Sequence, residues 1–172
     1  MNNKLKNNVI AIAVMVVLSI GIIVGIKFAN GDFRAKDNRV ALNVNGFTSN
    51  DATISEAYRL LGEAEETMGY SVTVSTTGYN TGEPIVIKVT FDADKTTVTS
   101  FEVLEQSETP GLGANITTEE FAGQFAGMTA PVYTGDMSAI GTEFDQVSQA
   151  TISSKAVARG INAAGEYLET VQ

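Results

Sequence analysis

The sequence predicts an α+β protein: an apolar N-terminal helix that crosses a membrane, then one domain in which an antiparallel sheet is packed by helices. Three observations predict it. Val9 to Ile26 is eighteen residues without a charge or a proline. The middle of the chain alternates apolar and polar residues with period two, whereas the C-terminal segment repeats apolar residues at spacings of three and four. Elements of both kinds, segregated along the chain, indicate α+β.

At 1.5 Å of rise per residue, eighteen residues sit at the lower edge of what a helix needs to cross hydrocarbon. Lys4 and Lys6 precede the run and Lys27 follows it. A cleaved signal peptide is the competing reading, because a basic start and an apolar core suit both. This core is longer than the usual stretch of about 7 to 15 residues, and Lys27-Phe28-Ala29-Asn30 lacks a small-x-small cleavage site. The segment is therefore read as an uncleaved anchor over 9–27, preceded by a short tail, 1–8. Basic residues flank both of its ends, so the positive-inside rule leaves the orientation open.

The stretch 28–51 is polar and uneven, with Asn-Gly and Ser-Asn-Asp turn signals around Val40-Ala41-Leu42-Val44, and reads as a tether into a domain spanning 52–172. Ile54, Ala57, Leu61, Ala64 and Met68 then recur at three and four, which predicts a helix with Asp51 or Thr53 as its cap. Three strands follow: Tyr70 to Thr77, Ile85 to Phe91 and Thr97 to Leu104, with Ile85, Ile87, Val89 and Phe91 on one face of the second. Their two short connections imply an antiparallel meander. After a loop at 108–113 comes a short helical stretch around Glu119 to Phe125, then a glycine-spaced region from Tyr133 to Gly141. Ser153 to Val171 places Val157, Ile161, Ala164, Leu168 and Val171 at helical spacing, a final helix that packs on the sheet.

Composition removes most chemistry. The chain has no Cys, His or Trp, which excludes Ser-His-Asp or Cys-His machinery, thiolate zinc and iron–sulfur sites and His-ligated haem. Redox chemistry would have to come from an organic cofactor. Six of the eleven basic residues lie in the first 39 positions, and from Val40 onward 5 basic stand against 18 acidic residues, a net charge of −13. Such a domain repels nucleic acid and anionic headgroups, which argues against both as partners. Asp92-Ala93-Asp94 is not a calcium loop, because glycine is missing at the sixth position and glutamate at the twelfth. Gly111-Leu112-Gly113 is not a dinucleotide fingerprint, because Ile116 stands where glycine is required and no βαβ unit surrounds it.

Two further segments carry the function. Glu108-Thr109-Pro110-Gly111-Leu112-Gly113 is a loop whose proline and glycines bring backbone close to a flat ligand. Asp145-Gln146-Val147-Ser148-Gln149-Ala150-Thr151, followed by Ile152-Ser153-Ser154, stands at the start of the last helix. By itself this is a serine and threonine cap. The free N–H groups of a helix start also stabilise an anion placed there, a phosphate included.

Together the two segments resemble the RnfG family, the G subunit of Rnf ion-translocating electron-transport complexes, and the NqrC-like covalent FMN-binding domain. The likeness covers about Met68 to the C-terminus, includes Gly78-Tyr79 and Gly82, and matches the family's Asp-x-x-Ser/Thr-x-Ala-Thr signal at Asp145, Ser148, Ala150 and Thr151. The family often has glycine where this chain has Gln149. The resemblance implies FMN esterified through its phosphate to Thr151 by a separate flavin transferase that uses FAD and magnesium. It further implies cofactor contacts from Thr109, Gly111, Leu112, Gly113, Ser148, Ala150, Ser153 and Ser154. Lys155, one turn into the last helix, either places a cation near the flavin or its phosphate or is a solvated helix residue, and Asp145 either serves recognition by the transferase or caps the local turn. Partners would be the integral membrane subunits of an Rnf-type ferredoxin:NAD oxidoreductase, with the flavin domain on the extracytoplasmic side of the cell membrane. The alternatives are a stand-alone membrane-anchored flavoprotein that relays electrons outside the cell, and an anchored binding module with no redox role.

Overall fold

A computed structural model describes residues 38–135 and 141–172. The expected anchor and the first part of the tether lie outside the described residues, as does the centre of the glycine-spaced region. Among the described residues no helix is long and apolar enough to cross a membrane. Asp37–Gln172 forms one compact unit.

Its frame is a six-stranded antiparallel sheet built from β1 (Arg39–Ala41), β2 (Thr48–Ser49), β3 (Ala52–Leu61), β4 (Thr67–Thr76), β5 (Ile85–Asp92) and β6 (Val98–Glu105). The strand order is β1-β3-β4-β5-β6, with β2 paired to the start of β3. The meander β4-β5-β6 agrees with the sequence reading. Tyr70, Val72 and Val74 of β4 and Ile85, Ile87, Val89 and Phe91 of β5 are buried on one face, as period-two alternation requires.

The predicted first helix is instead the ten-residue strand β3, and the reason lies in its pairing. Ile54 faces Val74 and Glu56 faces Thr73, so Ser55 is an extra residue, a β-bulge whose hydroxyl donates to the Thr73 carbonyl at 3.2 Å. A bulge adds one to the twofold period, so the buried residues Ile54 and Ala57 stand three apart, as in a helix. A second irregularity at Leu60/Leu61 and the loop holding exposed Ala64 extend the illusion to Met68.

The tether reading is corrected as well, because residues 39–49 contribute β1 and β2 to the sheet. Leu42 donates to the Ala57 carbonyl at 2.8 Å. Asp51 caps nothing helical: Asn50 and Asp51 have φ of 50° and 62° between paired Ser49 and Ala52. Positive φ at both central residues is what a two-residue hairpin turn demands, and Asn and Asp tolerate it.

Among the described residues two α-helices and a short 3-10 helix, Gly113–Thr117, complete the domain. The short α1 (Glu119–Gly123) is capped by Thr118, whose hydroxyl accepts from the Phe121 N–H. The long α2 (Thr151–Thr170) lies across the buried face of the sheet, burying Val157, Ile161, Ala164 and Leu168, four of the residues that its sequence period singled out. Gly160 allows the close approach, since a Cβ there would stand 2.6 Å from Ile87 Cδ1. Beside β6, the rings of Phe101, Phe121, Phe125 and Phe144 pack with centroids 4.6 to 6.4 Å apart. A small parallel pair, β7 (Val132–Tyr133) and β8 (Thr142–Glu143), is tied to α2 by Asn162, which accepts from the Val132 N–H at 2.7 Å and donates to its carbonyl at 2.9 Å.

Candidate functional site

Three segments meet at the N-terminal end of α2: the turn after β4, the loop after β6 and the first turn of the helix. Glu108 joins them. Its carboxylate, only 4% exposed, accepts from the backbone N–H groups of Tyr79 at 3.1 Å and Asn80 at 3.0 Å, and from the Ser153 hydroxyl. A buried carboxylate needs such donors, and all three here are neutral, so they spread its charge without cancelling it. Two glycines make room for it. A Cβ at Gly78 would stand 2.4 Å from Glu108 Oε1, and one at Gly113 would stand 2.8 Å from Oε2 and 2.6 Å from Ser153 Oγ.

The start of α2 is open. Its N-cap is Ala150 (φ −128°, ψ 42°), which has no side chain able to cap. The neighbouring hydroxyls are otherwise engaged: Ser153 donates to Glu108, and Ser154 accepts from the Val147 N–H at 3.0 Å. The cap reading of Ser153 and Ser154 therefore gives way, and the helix start retains the partial positive charge that favours an anion. Thr151, the first residue of the helix, is exposed. Just before it Gln149 holds φ of 60°, the left-handed region that favours glycine, which accounts for the glycine expected at this position.

These elements enclose a cavity of about 540 Å³ lined by Tyr79, Glu108, Thr109, Leu112, Gly113 and Gln149 to Ser153. Three of the exposed large apolar side chains of the described residues, Tyr79, Leu112 and Ile152, gather on it. Apolar walls, the threonines Thr109 and Thr151, an uncapped helix start and a cradle of backbone suit a flat aromatic ring joined to a phosphate. Among the described residues no group of three acidic side chains is placed to hold a metal ion.

Of the residues singled out in the sequence, Thr109, Leu112, Gly113, Ala150, Thr151 and Ser153 line this cavity. Gly111, with φ of 75°, shapes the loop from outside it, and Ser154 supports the helix start from behind. Asp145 and Ser148 are exposed and line a separate groove of about 330 Å³ beside α1. The backbone of Asp145 is held there by Gln124, which accepts from its N–H at 2.8 Å and donates to its carbonyl at 3.2 Å. Lys155 is half-buried one turn along α2 and is not part of the cavity lining. Sequence reasoning missed Tyr79, Glu108, Gln149 and Ile152 as lining residues. Glu108 carried a signal as the first residue of the matching loop, but its partner Ser153 is 45 residues away.

A family profile described as the FMN-binding domain matches residues 78–166. The chain is 46% identical over 76 residues, 44% of its length and 39% of the relative's, to the G subunit of the ion-translocating oxidoreductase complex of Methanosarcina acetivorans. It is 34% identical over 109 residues, covering 63% of itself and 57% of the relative, to the G subunit of the proton-translocating ferredoxin:NAD(+) oxidoreductase complex of Clostridium ljungdahlii. The chain thus spans between 39% and 57% of the lengths of these relatives. Its fold is similar to the crystal structure of the C subunit of the Na(+)-translocating NADH-quinone reductase from Parabacteroides distasonis, with TM-score 0.56, 23% identity and 78% of each chain covered. The Shewanella oneidensis NqrC structure is also similar, with TM-score 0.54, 17% identity and coverage of 81% of this chain and 76% of that one.

Proposed function

This chain belongs to the FMN-binding domain family, and on that premise we propose that it is the flavin-carrying G subunit of an Rnf-type ferredoxin:NAD oxidoreductase. The proposed complex is membrane-bound and couples electron transfer to ion translocation, and FMN is joined through its phosphate to Thr151. The observation that carries this reading is the exposed Thr151 hydroxyl on the wall of the cavity, at a helix start left without a cap. The similarity to the G subunits of two such complexes supports the choice of complex.

The cofactor would supply reversible electron carriage, which no side chain of a protein without Cys or His provides. The chain's own part is positional. Thr151 holds the phosphate at the positive end of α2. Tyr79, Leu112 and Ile152 exclude water from the ring, and the loop Glu108 to Gly113 presents backbone to it. A separate flavin transferase, drawing on FAD and magnesium, would make the ester, with Asp145 and Ser148 in the neighbouring groove as its recognition surface. The apolar run Val9 to Ile26 would anchor the domain on the extracytoplasmic side of the cell membrane, beside integral membrane proteins that carry their own redox centres.

Intact mass of wild type and Thr151→Ala, each co-expressed with a flavin transferase, tests the reading. The wild type gains one FMN less water and fluoresces on a denaturing gel, and the variant does neither. A variant that still carries covalent flavin places the link elsewhere.

A further inference from the structure

We propose that Glu108 is a buried negative charge that holds down the reduction potential of the flavin in this cavity, and that the Ser153 hydroxyl moderates that charge. The inference rests on the reading that the cavity holds FMN tethered at Thr151.

Glu108 and Thr151 line one cavity, so a ring that is fixed at Thr151 and fills the space lies beside the carboxylate. The carboxylate is 4% exposed, and its partners Tyr79 N–H, Asn80 N–H and Ser153 O–H are all neutral. Water screens it little. Gly78 and Gly113 let the backbone close tightly around it, which keeps it in place. Full reduction of a flavin takes two electrons and two protons. Where fewer protons than electrons arrive, negative charge builds up in the cavity, and a fixed carboxylate opposes it. Ser153 lowers that opposition, because a hydroxyl donated to a carboxylate oxygen draws charge away from it.

The test uses the full chain, co-expressed with a flavin transferase and purified in detergent, as wild type, Glu108→Gln and Ser153→Ala. Intact mass establishes flavin on each. Dithionite supplies electrons, solvent supplies protons, and mediator dyes equilibrate the flavin with a reference of known potential while absorbance reports its state. At a fixed potential, Glu108→Gln raises the ratio of reduced to oxidised flavin about tenfold, and Ser153→Ala lowers it. A merely structural role would loosen the cavity and move both variants in the same direction. Flavin present with both ratios moving together, or with neither moving, overturns this inference and leaves the proposed function standing. Wild type without flavin overturns that function and this inference with it. Should Glu108→Gln fail to fold, Ser153→Thr, which keeps the hydroxyl, is compared with Ser153→Ala: a ratio lowered in the alanine variant and kept in the threonine variant supports the inference, and any other pattern overturns it.

Discussion

The Ser153 hydroxyl donates to the Glu108 carboxylate, joining the first turn of the last helix to the loop that leaves the sheet. Because the same carboxylate also accepts from Tyr79 and Asn80, one side chain assembles all three segments of the cavity. Removing it leaves three donors without their acceptor. Tyr79 is 65% exposed, so water replaces part of the loss. Glu108→Ala therefore destabilises the flavin-free protein by about 2 kcal/mol, measured by urea unfolding at neutral pH. A loss under a few tenths of a kcal/mol would mean that the three segments assemble without it.

Gln149 carries left-handed backbone strain of about 1–2 kcal/mol, against an entropic cost for glycine of about 0.5–1 kcal/mol. Strain is the larger, so Gln149→Gly stabilises by about 0.5 kcal/mol, and Gln149→Val, branched at Cβ, destabilises. Thermal unfolding of the pair checks the order. A less stable glycine variant would contradict the φ of 60°.

Gly160 sits in the middle of α2, where alanine would gain about 1 kcal/mol of helix propensity. The added Cβ would meet Ile87 Cδ1 at 2.6 Å in a fully buried position, and overpacking costs about 1–3 kcal/mol. Overpacking wins, and Gly160→Ala is destabilising by about 1 kcal/mol. In an Ile87→Val background, which lacks that terminal methyl, the same substitution becomes neutral or stabilising. The coupling energy from the double-mutant cycle is then about 1 kcal/mol; additive effects would place the conflict elsewhere.

Asp94 holds the turn between β5 and β6. It accepts from the Thr97 hydroxyl at 2.6 Å and from the N–H groups of Thr97 and Thr96, each at 2.8 Å. The Thr97 hydroxyl first, then the Thr97 N–H, keep its carboxyl below the ordinary carboxylate range. A group whose folded pKa is depressed contributes stability that is present above its unfolded value near pH 4 and is lost as pH falls through the folded value. Asp94→Ala is thus less stable than wild type at neutral pH, and the gap narrows below about pH 4. Urea midpoints from pH 7 to pH 2 check the convergence, and a gap that stays constant with pH would refute the ionic origin.

From Tyr70 onward β4, and with it β5 and the helix α2, were legible because each keeps one period. By contrast β6, whose pairing with β5 shifts register twice and whose buried Val98 and Phe101 stand three apart, was marked by the turn at 92–95 that precedes it. Ile85, Ile87, Val89 and Phe91 alternate without interruption, and Val157, Ile161, Ala164 and Leu168 stay on one helix face. β3 was not legible, because the bulge at Ser55 converts a twofold period into a local spacing of three. Its hairpin with β2 was half legible. Ser49-Asn50-Asp51 announced a turn, but two-residue strands are too short to show alternation.

What the sequence by itself determined is the exclusion of thiol and imidazole chemistry, the meander and the last helix, with the anchor and the site at Thr151 and its upstream loop as expectations. These depend on residue type, or on neighbours a few positions away. Tertiary structure alone decided that Ser153 and Ser154 are turned from capping to other partners, that Glu108 reaches Ser153 across 45 residues, and that Asp145 and Ser148 face a different groove from Thr151. The physical reason is common to all three. A hydroxyl or carboxylate offers the same hydrogen bonds wherever it stands, and which one it makes depends on what the packing of α2 on the sheet brings within about 3 Å.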